Sequence, residues 1–135
     1  MREPTYPVAP QQTVRCLCTL FFVCEDLMAG NVVIVTESNF KAEVLESKQP
    51  VMIDFWATWC GPCRAIAPLV EQLADDFQGR AKVCKVDVDS NQRLAGDYQI
   101  SSIPTLMVFK DGRVVEQILG GRPKPAMAQL IEKHL

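Results

Sequence analysis

The run Val51-Met52-Ile53-Asp54-Phe55-Trp56 sets the tightest limit on how this chain can fold. It is apolar almost throughout, with no alternation of polar and apolar positions. A strand with one wet face alternates, whereas a strand buried on both faces reads as a continuous apolar run. A few residues on, Ile66, Leu69, Val70, Leu73, Ala74 and Phe77 recur at the spacing of one helical face. A doubly buried strand followed by an amphipathic helix points to a layered α/β architecture. Leu106–Phe109 is a second continuous apolar run of the same kind.

The remaining elements extend that pattern. Residues 32–35 read as a short strand. Residues 38–46 have helical spacing through Phe40, Val44 and Leu45, with Thr36 or Ser38 as cap. Pro50 breaks the chain before the 51–56 strand, and the long helix is expected from about Cys60 to Phe77, kinked at Pro68. Residues 83–88 form the next strand, 91–98 a short helix and 105–109 another strand. Asp111-Gly112 is a hairpin signal returning into 114–119. Gly120-Gly121 ends that strand, and Pro123 opens a last helix with Met127, Leu130 and Ile131 facing inward. Strands joined through helices are expected to run parallel and the hairpin antiparallel. The result is α/β: a central mixed β-sheet of about five strands, flanked by four helices on its two faces.

The bulk properties suit one such domain. The chain has 135 residues and a net charge of −2, without a basic cluster, which argues against nucleic-acid binding. No apolar run reaches the ~18 residues that span a bilayer. Six cysteines in a chain of this length are too sparse for a disulfide scaffold, which points to a reducing, cytoplasmic setting.

Cys60 and Cys63 are separated only by Gly61 and Pro62, directly after Trp59. Such a pair can be half of a zinc site, a small structural staple or a working redox pair. A structural zinc site wants four ligands, and no second C-x-x-C is present. A disulfide closing so small a loop constrains the unfolded chain little. The redox reading accounts for more residues. Cys60 falls where a strand gives way to a helix, and a helix N-terminus favours thiolate over thiol. Cys63, one turn along, stands ready to resolve a mixed disulfide on Cys60. Gly61 allows the tight turn, and Pro62 has no N–H to satisfy at a helix start. Asp54 is an acid within a buried run. It is either a chance edge-facing acid or a proton acceptor for a thiol, with Lys85 on the neighbouring strand as its partner. Pro104, at the head of a central strand, serves a turn, a cis bond or simply strand initiation.

Together, Asp54-Phe55-Trp56-Ala57, Trp59-Cys60-Gly61-Pro62-Cys63, Lys85-Val86-Asp87-Val88-Asp89, Ile103-Pro104-Thr105 and Gly120 closely resemble the thioredoxin family, from about residue 31 to 135. The resemblance implies a thioredoxin fold and general protein-disulfide reduction. It implies that Cys60 is the exposed nucleophile, Cys63 the buried resolving cysteine, Asp54 the buried proton acceptor and Lys85 its tuning group. Pro104 would be cis and would support a groove where substrate backbone pairs with Ile103. Trp59 and Gly120 would line the apolar contact surface, with Gly61 and Pro62 on the same substrate-binding side. No cofactor or metal is implied beyond the Cys60–Cys63 disulfide. The implied partners are a thioredoxin reductase as electron donor and disulfide-containing client proteins. Neither nucleic acid nor membrane is among them, and a monomer is expected. Arg64 stands where the family usually has lysine, and Ser101 where it frequently has arginine. Cys84 reads as a small buried hydrophobe rather than a regulatory thiol.

Residues 1–30 lie outside the resemblance and read as an N-terminal extension, mobile or forming a short helix, ahead of a domain at 31–135. Leu17, Leu20, Phe21, Cys24, Leu27 and Met28 fall at helical spacing. A mis-assigned start upstream of Met28, a genuine appendage, or a signal segment that would make this an exported envelope reductase each fit residues 1–29. Metal binding or redox sensing by Cys16, Cys18 and Cys24 is a further option. A redox-independent binding module using the Trp59 face is the remaining alternative.

Overall fold

The structure, a computed structural model, describes residues 31–135. The expectations for residues 1–30, including the Leu17–Met28 spacing and Cys16, Cys18 and Cys24, lie outside the described residues. Five strands, β1 (Val33–Ile34), β2 (Val51–Trp56), β3 (Lys82–Asp87), β4 (Thr105–Lys110) and β5 (Arg113–Leu119), form one sheet in the order β1-β3-β2-β4-β5. The helices are α1 (Lys41–Leu45), α2 (Gly61–Asp76), α3 (Gln92–Asp97) and α4 (Lys124–Glu132).

β2 lies at the centre of the sheet, which is why its sequence is apolar on both faces. On one face Met52 packs with Ile66, Val70 and Leu73 of α2 and with Met127 and Ile131 of α4. On the other, Val51, Ile53 and Phe55 pack with Phe40 and Val44 of the α1 segment and Leu94 of α3. There Phe40, Tyr98 and Phe109 form an aromatic trio with centroids 5.3–5.8 Å apart. Cys84 is fully buried in this second core and is a free thiol, so it serves as a small hydrophobe. Burial pushes that thiol up to about 12, and it stays protonated.

Three expectations are corrected. The α1 segment is one π-type turn, and its entry has no side-chain cap. The Thr36 and Ser38 hydroxyls bond each other at 2.8 Å, and the Thr36 N–H is itself taken by Asn39 Oδ1 at 2.7 Å. The strand at 32–35 is laddered only at Val33–Ile34, although Val32 and Val35 are buried. The third correction matters most. β3 and β4 are joined through α3 but do not run parallel. β2 pairs parallel with β3 and antiparallel with β4. The 16-residue α2 spans roughly 24 Å, enough to carry the chain back along a strand of about 20 Å, whereas the six-residue α3 covers roughly 9 Å. After α3 the chain re-enters the sheet at the end where β3 left it. That places residues 103–105 beside the end of β2.

α2 runs unbroken through Pro68. Asp111 and Gly112, at φ 53° and 79°, make the left-handed two-residue turn between β4 and β5. After β5, Gly121 comes so close to α2 that an added Cβ would lie 2.8 Å from Ile66 Cγ2. Gly121→Ala is accordingly expected to destabilise the domain by about 1–3 kcal/mol through overpacking, read as a lower urea midpoint at unchanged m-value.

Candidate active site

The site lies where β2 ends and α2 begins. Cys60 is the N-cap of α2, in extended conformation, and its Sγ accepts the Cys63 N–H at 3.2 Å. Cys60 and Cys63 are joined as a disulfide, with Cα atoms 5.3 Å apart. The free N–H groups and positive end of a four-turn helix thus point at the Cys60 sulfur, an arrangement that favours negative charge on it. Pro62 occupies the first turn, where its missing N–H costs no hydrogen bond.

The exposed nucleophile implied by the resemblance is corrected. Cys60 is only 4% exposed and Cys63 2%. Both pack in a small cluster with Ala57, flanked by Trp56, Val88 and Ile103. In the disulfide the Cys60 sulfur is turned back over the first helical turn rather than out toward solvent.

Asp54 sits two residues before the end of β2, on the same face as Met52 and Trp56. It is fully buried, and neither carboxylate oxygen has a hydrogen-bond partner among the described residues. Burial pushes its carboxyl up to about 7, opposed by the nearby positive charge of Lys85. Lys85 is the register partner of Asp54 on β3. No ion pair joins the two among the described residues. The Lys85 ammonium lies instead over the Trp56 ring, 4.7 Å from its centroid.

The re-entry of β4 brings in the third piece. The Ile103–Pro104 bond is cis. Ile103 packs against the cysteine cluster. Gly120, at φ 86°, donates its N–H to the Pro104 carbonyl at 2.7 Å, which ties the end of β5 to the same corner. A groove of about 320 Å³ opens next to the disulfide, lined by Trp59, Val88, Ile100, Ser101, Ser102 and Ile103. Its lining carries no formal charge. Trp59 stands 66% exposed at its mouth.

The structure therefore gathers Trp59, Cys60, Gly61, Pro62, Cys63, Ile103, Pro104 and Gly120 around one end of the sheet, with Asp54 and Lys85 behind them. Sequence reasoning missed Val88, Ile100 and Ser102 as groove residues, and Asp89, whose Oδ2 accepts the Trp59 indole N–H at 2.9 Å. Nothing in the local pattern marks them, because their place depends on the turns on either side of α3. Among the described residues, no three His, Cys, Asp or Glu side chains are grouped to hold a metal ion.

Residues 31–133 match the thioredoxin family model. The chain is 52% identical over 101 residues to "Thioredoxin 1" of Nostoc sp., covering 75% of this chain and 94% of that protein. It is 47% identical to the thioredoxin of Chlorobaculum thiosulfatiphilum, covering 79% and 99%. The Staphylococcus aureus thioredoxin is 48% identical, covering 77% and 98%.

Proposed function

Because this chain belongs to the thioredoxin family, we propose that Cys60 attacks client disulfides, Cys63 resolves the resulting mixed disulfide and Asp54 takes up the proton that Cys63 must lose. The protein is a thiol-disulfide oxidoreductase that reduces protein disulfides by dithiol–disulfide exchange, and its redox group is its own Cys60–Cys63 pair. Its partners are disulfide-containing proteins and a reductase. The finer assignments are a thioredoxin reductase as donor, a monomeric state and a cytoplasmic setting, in which the dithiol is kept reduced between turnovers. Residues 31–135 form the catalytic domain of this proposal, preceded by an extension at 1–30.

The steps balance as follows. The Cys60 thiolate attacks one sulfur of a client disulfide, and the other client sulfur leaves as a thiolate. The Cys63 thiolate then attacks Cys60 Sγ, expelling the second client thiolate and closing the Cys60–Cys63 disulfide. The client gains two electrons, and the protein loses two. Each outgoing client thiolate takes a proton, one of them originating on Cys63.

One observation carries this assignment: Cys60 caps α2 with its sulfur on a backbone N–H, beside an uncharged groove. Asp54 is supported by its position on the face of β2 that carries Trp56, which packs on the cysteine cluster, and by a carboxyl poised near neutrality. Lys85 opposes the burial of Asp54 and holds its ionisation within reach of physiological pH. The wild-type protein is expected to accelerate the reduction of insulin disulfides by dithiothreitol, and Cys60→Ser is expected to abolish that acceleration. Turnover retained in the variant would refute the assignment.

A further inference from the structure

Two side chains hold the loop that carries the nucleophile, and neither belongs to that loop. Between β2 and α2 the chain is Ala57-Thr58-Trp59-Cys60. Ala57 is buried, but Thr58 and Trp59 are open to solvent. From α2, Arg64 directs Nε and Nη2 onto the Thr58 carbonyl at 3.2 and 2.7 Å. From the turn after β3, Asp89 accepts the Trp59 indole N–H at 2.9 Å. That turn is itself built on Asp87. The Asp89 N–H donates to Asp87 Oδ1 at 2.9 Å, and the Ser90 hydroxyl reaches Asp87 Oδ2 at 3.4 Å. Asp87 is the ladder partner of Trp56. Asp89 therefore lies two residues beyond the end of the ladder with the strand that delivers the cysteines.

We propose that Arg64 and Asp89 form a two-point clamp that presents the Trp59 face to client proteins, which makes both of them positioning residues for client binding. This rests on the reading of Cys60–Cys63 as a working dithiol. A large exposed aromatic with a free edge samples several rotamers, and settling onto Val88 and Ile103 would cover the groove. Tying the indole N–H to a carboxylate holds the ring before a client arrives and lowers the ordering cost of association. The polar edge is then satisfied while the apolar face stays open, the arrangement of an interface anchor. Arg64 does the same for the backbone. Its planar guanidinium brings two N–H groups onto one oxygen, which a lysine ammonium cannot reproduce. Exposed contacts of this kind add little to folding stability. Their effect belongs in client affinity.

The test uses the full chain with insulin as client and dithiothreitol as electron source. Asp89→Ala and Arg64→Gln are expected to raise KM about three- to tenfold, the factor set by one solvent-exposed hydrogen bond. kcat should stay within about twofold, the signature of lost uniform binding. Asp89→Asn, which keeps an acceptor oxygen, should recover most of the loss, and Arg64→Lys should fall between wild type and Arg64→Gln. By NMR, the Trp59 indole proton should exchange with solvent faster in Asp89→Ala. An unmoved KM, a loss confined to kcat, or a raised KM with unchanged indole exchange would each overturn the clamp. A wild-type protein unable to accelerate insulin reduction by dithiothreitol would overturn the dithiol reading beneath it.

Discussion

Cys63→Ser protein is expected to accumulate as a covalent adduct with its clients, with turnover reduced on the order of 10³-fold. The reason is proximity. Cys60 and Cys63 have Cα atoms 5.3 Å apart on the first turn of one helix, so the resolving thiol acts at an effective concentration far above any free thiol in solution. Serine keeps the size and loses the nucleophile. The mixed disulfide on Cys60 then waits for external thiol at millimolar concentration, and its lifetime lengthens by the ratio of the two concentrations. Cys84 cannot substitute, since it is fully buried in the opposite core and its thiol is pushed up to about 12. Non-reducing electrophoresis should show the adduct, peptide mapping should place it on Cys60, and dithiothreitol should release it. Turnover of Cys63→Ser at the wild-type rate, without adduct, would exclude Cys63 as the resolving group.

The second large effect is on stability, and it is favourable. Asp54→Asn should stabilise the domain at pH 8 by about 2–4 kcal/mol while slowing disulfide reduction about tenfold or more. The carboxyl ionises near 3.8 in an open chain and near 7 when folded, because burial penalises its charge. Below pH 3.8 both states hold the proton, and the group contributes no pH dependence. Between pH 4 and 7 the unfolded chain gives up its proton first, so wild-type stability falls as pH rises. Above about pH 7 both are ionised, and the folded state carries the full penalty, on the order of 4 kcal/mol. Asparagine cannot ionise, so the variant should lose that slope and match the wild type most closely near pH 4. Urea denaturation from pH 4 to 8 measures this directly. The pH–rate profile should change in parallel, with the wild-type limb near pH 7 absent from the variant. Equal pH slopes for the two proteins would remove Asp54 from both roles.

Asp54 also shows what could be read from the chain alone. A single acid in a continuous apolar run stands out in the sequence itself. The helix stripes were equally legible. Five of the six residues expected on the long helix and its cap, Ile66, Val70, Leu73, Ala74 and Phe77, are buried, and Leu69 packs at their edge. Met127, Leu130 and Ile131 of α4 are buried as the spacing implies. Periodicity reports burial, and burial is what these positions share. Capping by Thr36 or Ser38 does not form because their hydroxyls bond each other and the Asn39 and Phe40 N–H groups go to the Thr36 carbonyl.

The directions of the strands were the least legible. A helix between two strands does not by itself say whether the chain crosses back over the sheet. The five-residue α1 joins two strands that both run parallel to β3, whereas the strand after the six-residue α3, β4, lies antiparallel to β2. The exposure of Cys60 was also beyond sequence, because it depends on which way a bonded sulfur turns at the helix start.

By itself, then, the sequence determined the chemistry available to this protein: a dithiol at a strand-to-helix junction, a buried acid behind it and a proline at the head of a second strand. Local spacing and burial suffice for that, since each is written into neighbouring residues. Only the tertiary structure decided that these parts meet. The antiparallel entry of β4 carries Ile103 to the cysteine cluster, and the turn after β3 brings Asp89 to Trp59, 30 residues away in the chain. Long-range contacts of this kind follow from how the layers pack, and no local pattern records them.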